Sequence, residues 1–158
     1  KRIKYNSIYL PYQIRKADKV FNEIKLLFLN NESLFETKGL EVHNHPLMIN
    51  SKKHLQLICL INEFLSKETI NRLHNKNSSK NTIVIGASAI ILELLEQGHS
   101  IYHISTCPQY EIHSPEIWKG ISVTKISRYQ YKYKLKKGFN YIKYPTQNNS
   151  LIEILDSL

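Results

Sequence analysis

Apolar and polar positions along the chain alternate between the periodicities of helices and of strands. Hydrophobic residues recur at three- and four-residue spacing in residues 17–29 and 53–65, as in amphipathic helices that bury one face. Short β-branched and aromatic segments at residues 7–12 and 40–45 each run into a proline, which a strand does not readily continue through. The order strand, helix, strand, helix predicts βαβ units.

The middle of the chain predicts a strand that is buried on both faces. Residues 82–85 (TIVI) are continuously apolar and β-branched, as in the centre of a parallel sheet. A Gly-Ala-Ser turn leads into a helix over residues 89–97, which Gly98 should end. Another strand is predicted at residues 100–104. The fold class we expect is therefore α/β, a Rossmann-like parallel β-sheet flanked by helices.

Residues 128–136 (RYQYKYKLK) alternate between tyrosine or leucine on one face and cations or glutamine on the other. We interpret them as a half-buried edge strand whose lysines discourage aggregation. An arm that binds single-stranded nucleic acid, acidic glycan or a membrane surface is the alternative. Around this segment we predict a helical turn at residues 115–119, a fifth strand at 122–126 and a closing helix at 151–158.

Length and net charge limit the classes of protein to which this chain can belong. The 158 residues suit a single domain, predicted over residues 1–158. The net charge of +9 favours an anionic partner without choosing among nucleic acid, phosphorylated compounds, acidic glycans and lipid headgroups. No apolar run reaches the roughly 18 residues of a membrane span. Two cysteines, Cys59 and Cys107, do not make a disulfide framework, so we expect a cytoplasmic location.

Ligands of parallel sheets bind beyond the carboxyl ends of the strands, near the point where the strand order reverses. Four segments follow predicted strands and are therefore candidates: residues 13–16, 45–46, 86–88 and 105–113. Gln13, at the start of the first segment, is a candidate nucleotide-binding residue.

The turn from Gly86 through Ala87 and Ser88 into Ala89 carries the strongest signal for a binding site. Glycine lets the backbone approach a ligand, and the free N–H groups of a first helical turn attract phosphate. Ser88 either bonds a phosphate oxygen or simply caps the helix. Glu93, on the same helix, either reaches a ribose hydroxyl or is solvated. Neither a GxGxxG nor a GxxxxGK[ST] pattern is present.

His45-Pro46 is the second signal, because it places a histidine at the end of a strand. Such a histidine can donate a hydrogen bond to phosphate and, when protonated, offset the charge of a leaving group. A purely structural hydrogen bond is the alternative. His43 would share the strand face of His45, but two histidines do not complete a metal site. We predict neither a metal nor a cofactor.

These motifs, in this order, resemble a known family. A strand-end His-Pro, a buried strand, a Gly-x-Ser turn, a helix with a glutamate and a glycine stop, and a further strand resemble the C-terminal domain of GT-B glycosyltransferases. The resemblance is to bacterial capsule and cell-surface enzymes: sialyl- and polysialyltransferases with "HP" and "SS" motifs, and glycerophosphate polymerases of teichoic acid synthesis. The stretch NTIVIGASAIILELLEQGHSIYHIS carries most of it, within roughly residues 43–126.

The resemblance implies roles for individual residues. His45 would bind the donor phosphate and stabilise the departing nucleotide, with Pro46 beside it in the motif. Ser88 would bond the same phosphate, and Glu93 matches an acidic position that touches ribose in some GT-B enzymes. The second serine of the "SS" pair is Ala89 in this chain, so half of that motif is absent.

The implied function is donor binding in a metal-independent transfer of a sugar from a nucleotide to a bacterial surface glycan. A CMP-linked acidic sugar is the favoured donor, followed by CDP- or UDP-linked donors. The general base would come from an N-terminal GT-B domain, so this chain is expected to be the C-terminal half of a larger enzyme and inactive alone. We expect peripheral contact with the inner membrane and no nucleic-acid partner. A non-enzymatic Rossmann-like nucleotide- or nucleic-acid-binding module, or a GT-B epimerase, stays open.

Overall fold

The computed structural model describes residues 7–30, 40–68 and 80–138, and these confirm the α/β, Rossmann-like fold class. One sheet contains the strands β1 (Ser7–Tyr9), β2 (Glu41–His43), β3 (Asn81–Ile85), β4 (Ser100–Ile104), β5 (Ile121–Lys125) and β6 (Gln130–Leu135). The helices of these ranges are α1 (Ala17–Asn30), α2 (Lys52–Glu68), α3 (Ile90–Glu96) and α4 (Pro108–Glu111). The closing helix predicted at residues 151–158 lies outside the described residues.

The strands follow the order β2-β1-β3-β4-β6-β5 across the sheet. The first four are mutually parallel, whereas β6 runs antiparallel to both β4 and β5. From β1 the chain adds β2 on one side and then returns to add β3 on the other. The strand order therefore reverses between β1 and β3, and this switch point is where an open α/β sheet offers a binding crevice.

Two hydrophobic cores cover the two faces of the sheet. One joins α1 and α2 to the sheet and contains Ile83 and Ile85, while the other joins α3 and β6 and contains Val84. Because side chains alternate along a strand, β3 contributes to both cores, and all five of its residues are buried. The continuous apolar run that predicted a doubly covered strand is thus explained and confirmed.

The two long helices follow their predicted faces with one exception. In α1 the buried side chains are Val20, Ile24, Leu27 and Phe28. In α2 the core contacts come from Leu57, Ile61 and Leu65. The apolar spacing of residues 53–65 also predicts an inward-facing Leu60, but Leu60 is exposed.

The prediction of an edge strand at residues 128–136 is wrong. Strand β6 lies inside the sheet between β4 and β5, and β5 is the edge. The alternation itself is confirmed, because Tyr131 and Tyr133 are buried in the core on the α3 side. On the opposite face the Lys132 ammonium lies 4.8 Å from the centre of the Tyr102 ring. The alternating pattern identified the two faces, but it does not specify which strands pair on either side.

A single helical turn is present at the predicted place, because the Trp118 N–H donates to the Ser114 carbonyl at 2.9 Å, and the short helix α4 precedes it. At the end of α3 the glycine stop is confirmed: Gly98 has φ 82°. The N–H groups of Gly98 and His99 return to the carbonyls of Leu95 and Leu94. No described helix is both long and apolar enough to cross a membrane.

Candidate functional site

A cavity of about 200 Å³ opens at the switch point, between the segments that follow β1 and β3. Its lining consists of Pro11, Tyr12, Gln13, Ile14, Arg15, Val20, Ile85, Gly86, Ala87, Thr106 and Glu111. A second cavity of about 350 Å³ shares Arg15, Ala87 and Glu111 with it and adds Cys107. Three of the four segments that follow predicted strands therefore meet at one cleft, and the larger of its two cavities is within the size range of small-molecule sites.

The base of the cleft is a close contact between Pro11 and Gly86. A Cβ atom on Gly86 would lie 3.1 Å from both Cβ and Cγ of Pro11. Gly86 also has φ 66°, and its N–H donates to the Ile104 carbonyl at 2.8 Å. Only glycine satisfies both the left-handed conformation and the near approach of the proline ring.

Two buried histidines hold this contact from either side. The Nε2 atom of His54 lies 2.9 Å from the Pro11 carbonyl, and that of His103 lies 2.8 Å from the Gly86 carbonyl. Since a carbonyl can only accept, each Nε2 carries the proton and donates. The exposed fractions of these residues are 2% for His54 and 0% for His103. The Nδ1 atom of His54 in turn pairs with the Ser51 hydroxyl at 2.9 Å.

His103 belongs to a chain of buried hydrogen bonds. Its Nδ1 lies 3.3 Å from the Tyr133 hydroxyl and accepts from it, since Nε2 holds the ring proton. The same hydroxyl accepts from the His113 N–H at 3.3 Å. Burial lowers the pKa of His103 to about 4 and raises the pKa of Tyr133 to about 12. Both groups are therefore neutral at pH 7, which suits a hydrogen-bonded structural role.

Neither histidine was among the predicted site residues, although the sequence contains a signal for each. His54 lies on the apolar stripe of its helix, three residues before Leu57 and seven before Ile61. His103 interrupts an otherwise apolar strand, SIYHI, where a polar side chain needs a partner.

One cation and one anion face the cleft. Arg15 and Glu111 line both cavities, yet the ion pairs among the described residues, Glu41–His43 and Glu63–Lys67, include neither. A guanidinium can bind phosphate in a bidentate manner, and a carboxylate can accept from hydroxyl or amine donors. The cleft thus suits a ligand that carries both an anion and hydrogen-bond donors.

Gln13, Gly86 and Ala87 are the predicted site residues that line the cleft. Ser88 and Ala89 follow the turn but do not line it. The capping role for Ser88 is wrong, because Ala89 occupies the N-cap position of α3 and no side chain caps the helix. The helix begins at Ile90, one residue later than predicted, so Ser88 lies one position before the cap.

Glu93, predicted to touch ribose, is exposed on α3 and lies outside the cleft lining. Its carboxylate accepts a hydrogen bond from the Gln97 side chain at 3.3 Å, one helical turn further on.

His45 lies beside the cleft rather than in it. Its Nδ1 accepts from the Leu47 N–H at 3.3 Å and begins a 3-10 turn at Pro46–Met48, so a structural hydrogen bond is present. Its ring contacts that of Tyr12 edge-on, with ring centres 5.3 Å apart. Tyr12 lines the cavity and therefore stands between His45 and the cleft.

His45 and Ser88 share the carboxyl rim of the sheet, but β1 separates their strands. The usual strand spacing puts β2 and β3 about 10 Å apart. Their roles on a donor phosphate stay predictions.

His43 stacks on Tyr9 with ring centres 4.6 Å apart, and its Nε2 lies 3.8 Å from a Glu41 oxygen. Within residues 7–30, 40–68 and 80–138, no three His, Cys, Asp or Glu side chains are grouped to hold a metal ion. Cys59 and Cys107 are free thiols.

Comparisons with protein-family models, with curated proteins and with solved structures give no match to this chain. A proposal about function therefore rests on the residues of the cleft.

The contact of Pro11 with Gly86 predicts a stability difference between two glycine substitutions. Gly86→Ala and Gly98→Ala both place alanine at positive φ, at a cost of about 1–2 kcal/mol each. A new Cβ at Gly98 meets nothing within 4 Å, whereas at Gly86 it presses on Pro11. We expect urea unfolding to show a clearly larger loss of stability for Gly86→Ala. Equal losses would contradict a tight contact.

Burial of His103 predicts a dependence of stability on pH. Its pKa in the folded protein, about 4, lies below the ordinary 6.5, so the unfolded chain takes up the proton first. The stabilisation is complete above about pH 6.5 and falls by about 3 kcal/mol as the pH drops towards 4. Urea unfolding should show a flatter pH profile for His103→Gln, which can still donate to Gly86 but does not titrate. Parallel pH profiles of stability for the unaltered chain and His103→Gln would exclude a contribution of His103 to the pH dependence.

Proposed function

We propose that this chain is the donor-nucleotide-binding domain of a GT-B-type glycosyltransferase. The observation that carries the proposal is the cleft at the switch point, with a glycine turn at its base and, on its lining, an arginine that forms no ion pair with another described residue. Nucleotides bind at this place in open α/β sheets. The order of the His-Pro and Gly-x-Ser motifs along the chain agrees with it.

In the proposed complex, the donor phosphate lies against Arg15 and the Gly86-Ala87 turn. Arginine supplies a permanent positive charge in a geometry that matches two phosphate oxygens. Pro11 occupies the side of Gly86 that lacks a side chain, so the phosphate approaches the turn from the cavity that Gly86 and Ala87 line. The charge that develops on the leaving nucleotide is then offset by groups already fixed in position.

His45 and Ser88 approach the same phosphate from the β2 and β3 sides in this proposal. Tyr12 is the side chain that must turn aside for His45 to reach a ligand in the cleft. Tyr12 is 47% exposed and contacts the His45 ring edge-on. Its exposed side leaves room for such a rotation.

The proposed reaction is a metal-independent transfer from a nucleotide-sugar donor to a surface-glycan acceptor. The bond between the sugar and the phosphate oxygen breaks, and the nucleotide leaves with the electron pair. An acceptor hydroxyl forms the new glycosidic bond and gives its proton to a base from the N-terminal domain. A CMP-linked acidic sugar is the first candidate donor, ahead of CDP- and UDP-linked sugars.

A nucleic-acid-binding module is less well supported. Single-strand binding needs aromatic faces on which bases can stack. Of the tyrosines in residues 128–136, Tyr131 and Tyr133 are buried in the core, and the Lys19 ammonium covers the ring of Tyr129 at 3.5 Å. The interleaved tyrosines and lysines therefore leave little aromatic surface for bases.

The first prediction from the proposal concerns thermal stability. CMP, CDP or UDP at a hundredfold excess over its dissociation constant should raise Tm by roughly 5–10 °C. Arg15→Gln should reduce the shift, since it removes the cation that faces the phosphate. Lys16→Gln is the matched control: it removes the same charge from the neighbouring exposed residue, which does not line the cleft.

His45→Ala and Ser88→Ala should also reduce this shift, because the proposal puts both on the phosphate. Mononucleotides that leave Tm unchanged, together with oligonucleotide binding that weakens steeply with salt, would favour the nucleic-acid module instead.

The two cysteines provide a second prediction within the unaltered chain. Cys107 lines the larger cavity, whereas Cys59 is exposed on α2, away from the cleft lining. Bound CMP should slow alkylation of Cys107 by iodoacetamide and leave the rate at Cys59 unchanged, as peptide mass spectrometry can measure. Equal slowing at both thiols, or none at Cys107, would argue against nucleotide in this cleft.

A further inference from the structure

The 3-10 turn that follows β2, with the residue after it, presents apolar side chains to solvent. In this apolar turn (residues 46–49), Leu47 is 74% exposed and Ile49 is 61% exposed, more than any other large apolar side chain among the described residues. Leu55, in the first part of α2, is a further 47% exposed. Single exposed leucines are ordinary, but several such side chains within one short stretch indicate a surface that contacts another body.

Hydrogen bonds on the inner side of the apolar turn fix its backbone. The Met48 N–H donates to the His45 carbonyl at 2.8 Å. The Met48 carbonyl accepts from the Asn44 side chain and from the Ser51 N–H, both at 3.0 Å. The fold itself therefore holds the exposed apolar side chains outward, and little conformational freedom is lost when they bind.

The charged side chains next to the apolar turn are positive. Lys52 and Lys53 follow it directly and are exposed. The sequence has no Asp or Glu between Glu41, which begins β2 at the end away from the turn, and Glu63, which pairs with Lys67 further along α2. Aliphatic side chains beside cations complement a surface of anionic lipid headgroups above acyl chains.

A protein partner fits this composition less well. The cores of protein interfaces are enriched in aromatic residues and arginine, and they are depleted of lysine. Residues 46–60 contain no Phe, Tyr, Trp or Arg, whereas two lysines adjoin the apolar turn. Segments that lie in a membrane interface combine apolar side chains with lysines in this way.

We propose that the apolar turn and the start of α2 bind the surface of an anionic lipid bilayer. Leu47 and Ile49 enter the boundary between headgroups and acyl chains, while Lys52 and Lys53 contact the lipid phosphates. The affinity comes from buried apolar surface together with electrostatic attraction, so neither pair of side chains suffices alone.

A bilayer bound in this way lies next to the cleft. The apolar turn begins directly after His45, whose ring centre is 5.3 Å from that of Tyr12 on the cleft lining. The lipid contact is nevertheless independent of the proposed function, because it requires neither a nucleotide nor a transfer reaction.

The first experiment measures how much of the whole chain sediments with phosphatidylcholine vesicles, with and without an equal part of phosphatidylglycerol. The unaltered chain should bind the anionic vesicles and stay in solution with the neutral ones. Leu47→Ser combined with Ile49→Ser should weaken binding about tenfold, because apolar surface is lost from the lipid contact. The matched control is Leu29→Ser combined with Ile117→Ser, which changes the same residue types, each 55% exposed, and should keep the affinity.

The two lysines have a matched control as well. Lys52→Gln combined with Lys53→Gln should weaken binding to the anionic vesicles about tenfold. Lys136→Gln combined with Lys137→Gln removes the same charge from an exposed pair that follows β6, and should weaken it about twofold at most.

Two results would overturn the lipid contact. One is a lack of binding to the anionic vesicles. The other is equal binding by the apolar-turn variant and its control, since the net charge of +9 would then explain the attraction without the turn. If the apolar-turn variant abolishes self-association in sedimentation velocity and leaves vesicle binding unchanged, the turn is an interface between copies of the chain, and the lipid contact is again overturned.

A second measurement uses the unaltered chain and therefore does not depend on whether any variant folds. Anionic vesicles should slow amide hydrogen exchange in residues 46–55 and leave residues 114–119 unchanged. Exchange that is slowed equally in both segments, or in neither, would refute the assignment. Nucleotide binding in the cleft is measured separately, so failure of the lipid contact leaves the proposed function standing.

Discussion

The close approach of Pro11 to Gly86 determines the shape of the cleft. The two residues follow β1 and β3, the strands on either side of the switch point, and any side chain on Gly86 would separate them. His54 fixes one carbonyl from the α2 side, and His103 fixes the other from within β4. The base of the cleft is therefore held by hydrogen bonds from opposite faces of the sheet, and its shape does not depend on a ligand.

This arrangement also explains the unusual polarity of the core. Buried histidines are costly unless both ring nitrogens have partners. His54 pairs with Pro11 and Ser51, and His103 pairs with Gly86 and Tyr133. Each buried imidazole thus links secondary structure to a residue of the cleft, and the same bonds that satisfy the core position the backbone there.

The strands and helices were largely predictable because their signals are local. The apolar run of β3, the stripe of α1 and the glycine stop after α3 each depend on neighbouring residues, and each is found in the structure. Strand pairing is not local. Nothing in residues 130–135 indicates that β6 inserts antiparallel between β4 and β5, because an alternating strand suits an edge and an interior position equally well.

The sequence predicts where the candidate site lies, but it does not predict which residues form it. The carboxyl-end rule led to Gln13, Gly86 and Ala87, which line the cleft, and also to the segments that contain Arg15 and Glu111. It did not rank residues within those segments, since exposure and pairing depend on the tertiary fold. His45 satisfies the same rule, yet its strand β2 is one place further out, and Tyr12 fills the space between.

The insertion of β6 has a consequence for the order of assembly. The segment between β4 and β5 carries Thr106, Cys107 and Glu111, and the Ser105 N–H at its start donates to the Tyr129 carbonyl, just ahead of β6. On the ribosome, β4 emerges before its antiparallel partner exists. This side of the cleft cannot be completed until β6, the last strand in the described part of the chain, has been synthesised. A nascent chain that ends before β6 has β1 and β3 but lacks this support for Glu111.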